Sequence, residues 1–327
     1  MKAIRIHEFG QPEVMNLEEV ERPIPAPNEI LVKVYASAVN PIDMKIRDGS
    51  VIPRLHVKFH LPIILGWDAA GIIEEIGSEV TGYKKGDEVY GIPNFPGDGS
   101  YAEYIAADAG KFAIKPKNIS FNQAAAVPVS AIAAWDGIIR GVQVQPGERV
   151  LIHGAAGNVG HFAVQFAKLK GAYVIGTARS EDFDFLKQLG IDEVIDYRNQ
   201  KFEELLKDID VVFDAAVTGS ETQLKSIKLL NQNGRLSTTQ GYPLIEEVTK
   251  ALAEKNGKGH VVYGENKIHG WLTEIARLFD ENKLQVAINK VFPLVQVSDA
   301  HHEAKRKNKP GKLVLEVRKE NKLHETL

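Results

Sequence analysis

The chain has 327 residues, 40 Lys and Arg against 43 Asp and Glu, a formal charge of −3, and no cysteine. That length suits about two domains, with an ordinary apolar core. The balanced charge gives no footprint for nucleic acid or an anionic membrane, and the missing thiols exclude disulfides, thiol nucleophiles and cysteine-held zinc or iron–sulfur clusters.

The opening stretch from Met1 to Gly10 is charged and alternates like a strand, unlike a leader peptide, and no apolar run approaches a membrane span. A soluble cytoplasmic protein is expected. From Met1 to about Asn118 short alternating runs lie between turns: Lys2 to Ile6, Glu29 to Ala38, Ile63 to Gly77, Asp87 to Ile92 and Tyr101 to Ala106, with Pro23, Pro25 and Pro27 breaking the chain. The pattern predicts an all-β, barrel-like region.

Near Ser120 the texture changes. Asn122 to Arg140 is alanine-rich and reads as one or two helices, with Pro128 at a break. The stretch from Arg149 to Ser180 then reads as strand, crossover helix and parallel strand: Val150 to His153 is an apolar run, Val159, Phe162, Ala163, Phe166 and Ala167 recur at helical spacing, and Tyr173 to Ala178 is a second apolar run. Strand and helix keep alternating to about Tyr263, which predicts a doubly wound parallel sheet. Helix Ile268 to Asn282, a strand at Val291 to Pro293, a polar helix near Ser298 to Lys307 and a strand at Lys312 to Val317 break that rhythm, so the chain is expected to return to its first domain. The predicted division is 1–121 with 267–327 for the barrel domain and 122–266 for the parallel-sheet domain. Arg318 to Leu327 is expected to fray.

The turn from Ala155 to Gly160 overlays on the dinucleotide fingerprint with alanine in the place of the first glycine. Ala156, Gly157, Asn158, Val159 and Gly160 are the candidate cofactor residues: Gly157 permits close approach of a pyrophosphate, Gly160 permits close helix packing, and the helix start favours an anion. The alternative is a plain helix start. The next strand ends at Arg179 and Ser180, where NAD-binding versions carry an acid. A guanidinium and a hydroxyl suit a 2′-phosphate, which selects NADPH unless Arg179 is merely a solvated charge. Ala216 and Val217, after a later strand, should border the adenosine and its ribose.

Asn40-Pro41-Ile42-Asp43, Gly66-Trp67-Asp68, Gly99-Ser100-Tyr101, the Ala155 to Gly160 turn and Gly311-Lys312-Leu313-Val314-Leu315, in this order, resemble the zinc-free quinone oxidoreductase and enone reductase branch of the medium-chain dehydrogenase/reductase superfamily. The resemblance spans nearly the whole chain. It implies an α/β fold with a doubly wound Rossmann sheet and a GroES-like β-barrel domain, and a homodimer joined along the edges of the cofactor domain. In zinc-dependent members Trp67 corresponds to a histidine ligand, and the cysteine-rich lobe is replaced by a direct passage from Pro96 to Tyr101, so no metal is expected.

Without a metal the chemistry open to a nicotinamide is hydride transfer to an activated acceptor, a quinone or an α,β-unsaturated carbonyl. Lys45 is the candidate to steady the developing oxyanion, as in enone-reducing relatives, or is a surface lysine. Asn40 and Asp43 either shape the pocket floor or cap the turn around Pro41, with Asp43 pairing Lys45 or Arg47. Asp68 either orients a polar neighbour or satisfies buried backbone. Trp67 is packing or a pocket wall. By resemblance, Ser130 faces the nicotinamide carboxamide and Tyr197 lies by the 2′-phosphate. Lys309 and Lys312 either reach the cofactor from the returning segment or, the favoured reading, are solvated; His301 and His302 are read as surface residues, and His56 and His60 as loop histidines without a ligand role. An enoyl-thioester reductase and a noncatalytic NADPH-binding protein are the competing readings.

Overall fold

The computed structural model describes residues 1–54, 59–216, 219–240, 243–262, 268–306 and 310–320. The chain forms two units. Met1–Val129, Asn266–Asn282 and Val286–Leu327 make the first, and Ser130–Glu265 with Lys283–Gln285 make the second.

The first unit opens with β1 (Lys2–Ile6), β2 (Asn16–Glu19), β3 (Glu29–Ala38), helix α1 (Pro41–Arg47), β4 (Ile63–Ile64), β5 (Ala69–Ile76), β6 (Glu88–Gly91), β7 (Tyr104–Asp108) and β8 (Phe112–Ile114). β3 is the long strand of the set and pairs antiparallel with β5 and β7. Its Ile30, Val32 and Val34 alternate into a core with Ile73, Val89, Ile105 and Phe112, as the period of two in a strand requires. Helix α2 (Phe121–Ala125) starts at a Ser120 and Gln123 capping box and packs on β3 and β5.

The cut between the units falls inside α3 (Pro128–Trp135), which runs on as a π-helical stretch, Asp136–Gly141. The second unit then alternates β9 (Arg149–His153), α4 (Gly160–Leu169), β10 (Tyr173–Ala178), α5 (Phe183–Gln188), β11 (Glu193–Asp196), α6 (Phe202–Leu205), β12 (Ile209–Asp214), α7 (Ser220–Leu229), β13 (Leu230–Thr238), α8 (Glu246–Glu254) and β14 (Lys258–Val261). All six strands are parallel, in the order β11-β10-β9-β12-β13-β14. The chain steps outward from β9 in one direction, then returns to step outward in the other. The strand order therefore reverses between β9 and β12, where open sheets of this kind place their ligands. Gly160 through Ala167 are all buried in α4, and each Phe in that run contributes about 1.5–3 kcal/mol by burial.

Back in the first unit come α9 (Ile268–Asp280), β15 (Ile288–Pro293), α10 (Val297–Ala304) and β16 (Lys312–Glu316). β16 joins the sheet of β3, antiparallel to it, so its Val314 and Leu315 complete that layer.

Several local expectations change. The turn at Pro41 is the start of α1: Asn40 occupies its N-cap, Pro41 its first position and Asp43 its third, a helix-start signature. The single strand expected from Ile63 to Gly77 is two, because Gly66 adopts φ of 104° and a Cβ there would meet the Tyr101 ring at 2.4 Å. The strand expected from Tyr101 begins at Tyr104, while β2, β8 and α5 were not anticipated. Arg318 does not fray: its guanidinium lies 5.3 Å from the Tyr104 ring centroid.

Candidate active site

Asn40, Asp68 and Lys312 come from three separate segments of the first unit and meet with at most 1% of each exposed. Lys312 Nζ donates to Asn40 Oδ1 at 2.5 Å and lies 3.0 Å from Asp68 Oδ2. Asn40 Nδ2 donates to that same carboxylate oxygen at 2.8 Å, and Asp68 Oδ1 accepts the Val129 N–H at 2.8 Å. A buried ion pair survives desolvation only when hydrogen bonds fill its remaining positions, and they do so here. The expectation that Lys312 is solvated is thus wrong. A lysine opening a strand looks exposed in sequence, and only the pairing of β16 with β3 turns it toward Asp68.

A second buried chain runs along the inner face of α1. Arg47 Nη1 donates to His301 Nδ1 at 3.0 Å, His301 Nε2 lies 3.2 Å from Tyr101 Oη, and Tyr101 Oη donates to Asp43 Oδ2 at 3.1 Å. Asn40 N donates to that oxygen at 2.6 Å. Because a guanidinium only donates, His301 must accept at Nδ1 and donate from Nε2, as a neutral ring. Its environment agrees: burial, then the Arg47 charge, push the imidazole down to about 3. Burial lifts the Asp43 carboxyl to about 7 despite the Asn40 N–H, with the Asp68 charge adding to the rise.

Two expectations fall here. His301 is fully buried rather than at the surface, while His302 is exposed and contacts Glu13. Asp43 pairs with neither Lys45 nor Arg47 among the described residues, since its Oδ2 faces Tyr101 and the Asn40 backbone.

Lys45 stands exposed on α1, and its side chain has no hydrogen bond or ion pair among the described residues. Trp67 is buried and meets Phe95 and Phe59 edge-to-face at 5.3 and 6.4 Å. His60 is exposed, and His56 and Lys309 lie outside the described residues.

In the second unit the β9–α4 turn depends on one glycine more than the expected fingerprint. Gly154, not Ala155, makes the tight first bend, with φ of 69°, and a Cβ there would meet Ala216 Cβ at 2.8 Å. A Cβ on Gly160 would come 2.1 Å from Gly154 O, so only glycine lets α4 start this close to the turn. Gly157 is exposed, Ala156 is buried, and the N–H groups of Asn158 and Val159 have no acceptor among the described residues. Open donors at the mouth of α4 fit a diphosphate.

The end of β10 is more constrained than its sequence suggests. Arg179 forks onto Asp182, Nε to Oδ2 at 2.8 Å and Nη2 to Oδ1 at 2.9 Å, so its guanidinium is oriented rather than loosely solvated. Ser180 Oγ lies 3.4 Å from Glu181, and Tyr197, whose N–H donates to Ala178 O, is 55% exposed. Ser130 is buried in α3, Ala216 is exposed after β12, and Val217 lies outside the described residues. Sequence reasoning passed over Asp214, whose buried carboxylate accepts the Ala216 N–H and the Gln223 amide at 3.2 and 3.0 Å. An acid ending a buried strand was the signal available for it.

Among the described residues no three His, Asp or Glu side chains form a metal-ligating cluster. Residues 26–117 match the family described as alcohol dehydrogenase GroES-like domain, and residues 189–315 the family described as zinc-binding dehydrogenase. A quinone oxidoreductase of Sus scrofa is 32% identical across 96% of this chain and 97% of its own length. The chain belongs to the medium-chain dehydrogenase/reductase superfamily. A solved quinone oxidoreductase of Coxiella burnetii matches this superfamily member at 35% identity with a TM-score of 0.88, covering 97% of this chain and 99% of that one. A 2-methylene-furan-3-one reductase of Solanum lycopersicum is 35% identical over 74% of this chain and 62% of its own length. Membership makes the chain an oxidoreductase that uses a nicotinamide cofactor and a small-molecule substrate. No described helix is long and apolar enough to cross a membrane.

Proposed function

We propose that this chain is an NADPH-dependent reductase of quinones or α,β-unsaturated carbonyls that works without a metal. The observation carrying this reading is the closed Asn40–Asp68–Lys312 cluster. With an ammonium already seated on Asp68 and an indole beside it in sequence, the donor set suits no divalent cation. The acceptor must then carry its own electronic sink, as quinones and enones do. The names of the pig, Coxiella and tomato relatives support the same two classes of acceptor.

The bound cofactor supplies a hydride from its nicotinamide ring. Gly154, Gly157 and Gly160 make room for its diphosphate, and the Asn158 and Val159 N–H groups hold that charge. Arg179, Ser180 and Tyr197 take the 2′-phosphate, with Asp182 aiming the guanidinium. Ala216 borders the adenosine, and Ser130 serves the carboxamide. Lys45 offers its exposed ammonium to the oxygen that becomes negative. Asn40, Asp43 and Asp68 act behind it by fixing the start of α1.

The test is consumption of NADPH with a panel of quinones, cyclic enones and alkenals, followed by nicotinamide absorbance. Turnover on any of these above a no-enzyme control supports the reading, and none on the whole panel overturns it. Arg179→Ala is expected to raise the Kd for NADPH about tenfold while leaving NADH unchanged. Similarity to the CurK enoyl reductase, 26% identical with a TM-score of 0.84, keeps enoyl thioesters as a second acceptor class for the same panel. β14 is an edge strand of its sheet, which supports a homodimer paired along that edge, to be read by analytical ultracentrifugation.

A further inference from the structure

At the carboxyl ends of β12 and β13 a set of polar side chains ties two loops together. Gln223 Nε2 donates to Asp214 Oδ2 at 3.0 Å and lies 3.3 Å from Thr238 Oγ1. Thr238 Oγ1 also accepts the Gln240 N–H at 3.0 Å, and Thr239 donates its N–H to Asp214 O at 3.1 Å. The backbone at Gln240 is therefore held in place. Its side-chain Nε2, by contrast, is buried and has no acceptor among the described residues.

A buried amide donor without an acceptor calls for one, and the sheet indicates which. The β9–α4 turn takes the diphosphate, and the β9-β10-β11 half carries Arg179, Ser180 and Tyr197 for the adenosine end. The carboxyl end of β13, farther beyond the strand-order reversal than Ala216 at the end of β12, is left for the nicotinamide half. We infer that Gln240 holds the nicotinamide carboxamide beside Ser130, its Nε2 donating to the carboxamide oxygen and leaving the carboxamide N–H groups to the serine hydroxyl; this rests on the cofactor reading above. The terminal torsion of a glutamine is broad, so the amide turns toward a ligand at small cost.

Fluorescence titration of the full chain with NADPH and with 2′-phospho-ADP-ribose, which lacks only the nicotinamide ring and its carboxamide, tests the inference. Gln240→Leu is expected to raise the Kd for NADPH about threefold to tenfold, the worth of one hydrogen bond, and to leave the Kd for 2′-phospho-ADP-ribose unchanged. Gln240→Glu, equally long but without the donor, is expected to weaken NADPH at least as much, and unchanged melting temperatures show that both variants are folded. Unaltered NADPH binding, or equal losses for both ligands, overturns the assignment and leaves the cofactor reading standing. A wild-type chain that binds neither ligand overturns both.

Discussion

Lys312 sits between Asp68 and Asn40 with 1% of its surface exposed, whereas Lys45 stands in solvent on α1. The two ammonium groups predict different losses. Lys312→Met leaves the Asp68 carboxylate buried without its counter-charge, and breaking such a pair costs about 3–5 kcal/mol; urea denaturation should show it. Adding Asp68→Asn removes the stranded charge, so the double variant should be more stable than Lys312→Met alone. For Lys45→Met the stability should stay within about 0.5 kcal/mol, as for other exposed positions. Its kcat on quinones or enones should fall about tenfold to a hundredfold with little change in the Kd for NADPH, and an unaltered kcat would remove Lys45 from the chemistry.

The β9–α4 connection shows how much depends on single hydrogens in place of side chains. A methyl at Gly160 would press on the Gly154 carbonyl and the Ala155 backbone at 2.1 and 2.8 Å, where neither neighbour is a flexible side chain. Gly160→Ala should therefore destabilise the chain by about 1–3 kcal/mol through overpacking and displace the start of α4. At Gly157 the added methyl is 3.1 Å from Gly154 O and otherwise open. Gly157→Ala should fold nearly normally yet bind NADPH about tenfold more weakly, because the methyl stands where the diphosphate approaches. Thermal melts and fluorescence titration together separate the two outcomes. Helix α1 makes a comparable point, since Asn40-Pro41-x-Asp43 reads in sequence only as a capped turn, and neither the helix it starts nor its two buried hydrogen-bonded chains could be read there.

Three buried groups give the whole molecule a pH profile. The folded chain holds His301 and His153 neutral, burial pushing them down to about 3 and about 4, while burial raises Asp43 to about 7. An unfolded histidine titrates near 6.5 and an unfolded aspartate near 3.9. On acidification from about pH 6.5 to 4, unfolding therefore takes up two protons at the histidines and releases one from Asp43. These groups make stability fall with acid by about 1.4 kcal/mol per pH unit for the net proton. Above pH 6.5 only Asp43 still titrates, and its contribution, present below about 4, is lost as pH rises through 7. Melting temperature should peak near pH 6.5, and His301→Gln should flatten the acid limb.

Much of the design was legible in the amino-acid order. Hydrophobic periods of two and of about 3.6 are local properties, so the barrel-like first unit, the alternating second unit and the glycine turn between β9 and α4 could all be read from runs of neighbours. The same holds for the missing thiols that leave no cysteine ligand for a metal. What neighbours in sequence do not encode is which distant residues share a buried volume. The pairing of β16 with β3 set Lys312 on Asp68, the packing of α10 set His301 between Arg47 and Tyr101, and the approach of Ala216 left room only for a glycine at Gly154. In each case a charge or a single hydrogen acquired its role from desolvation and contact across the fold, which only the tertiary structure supplies.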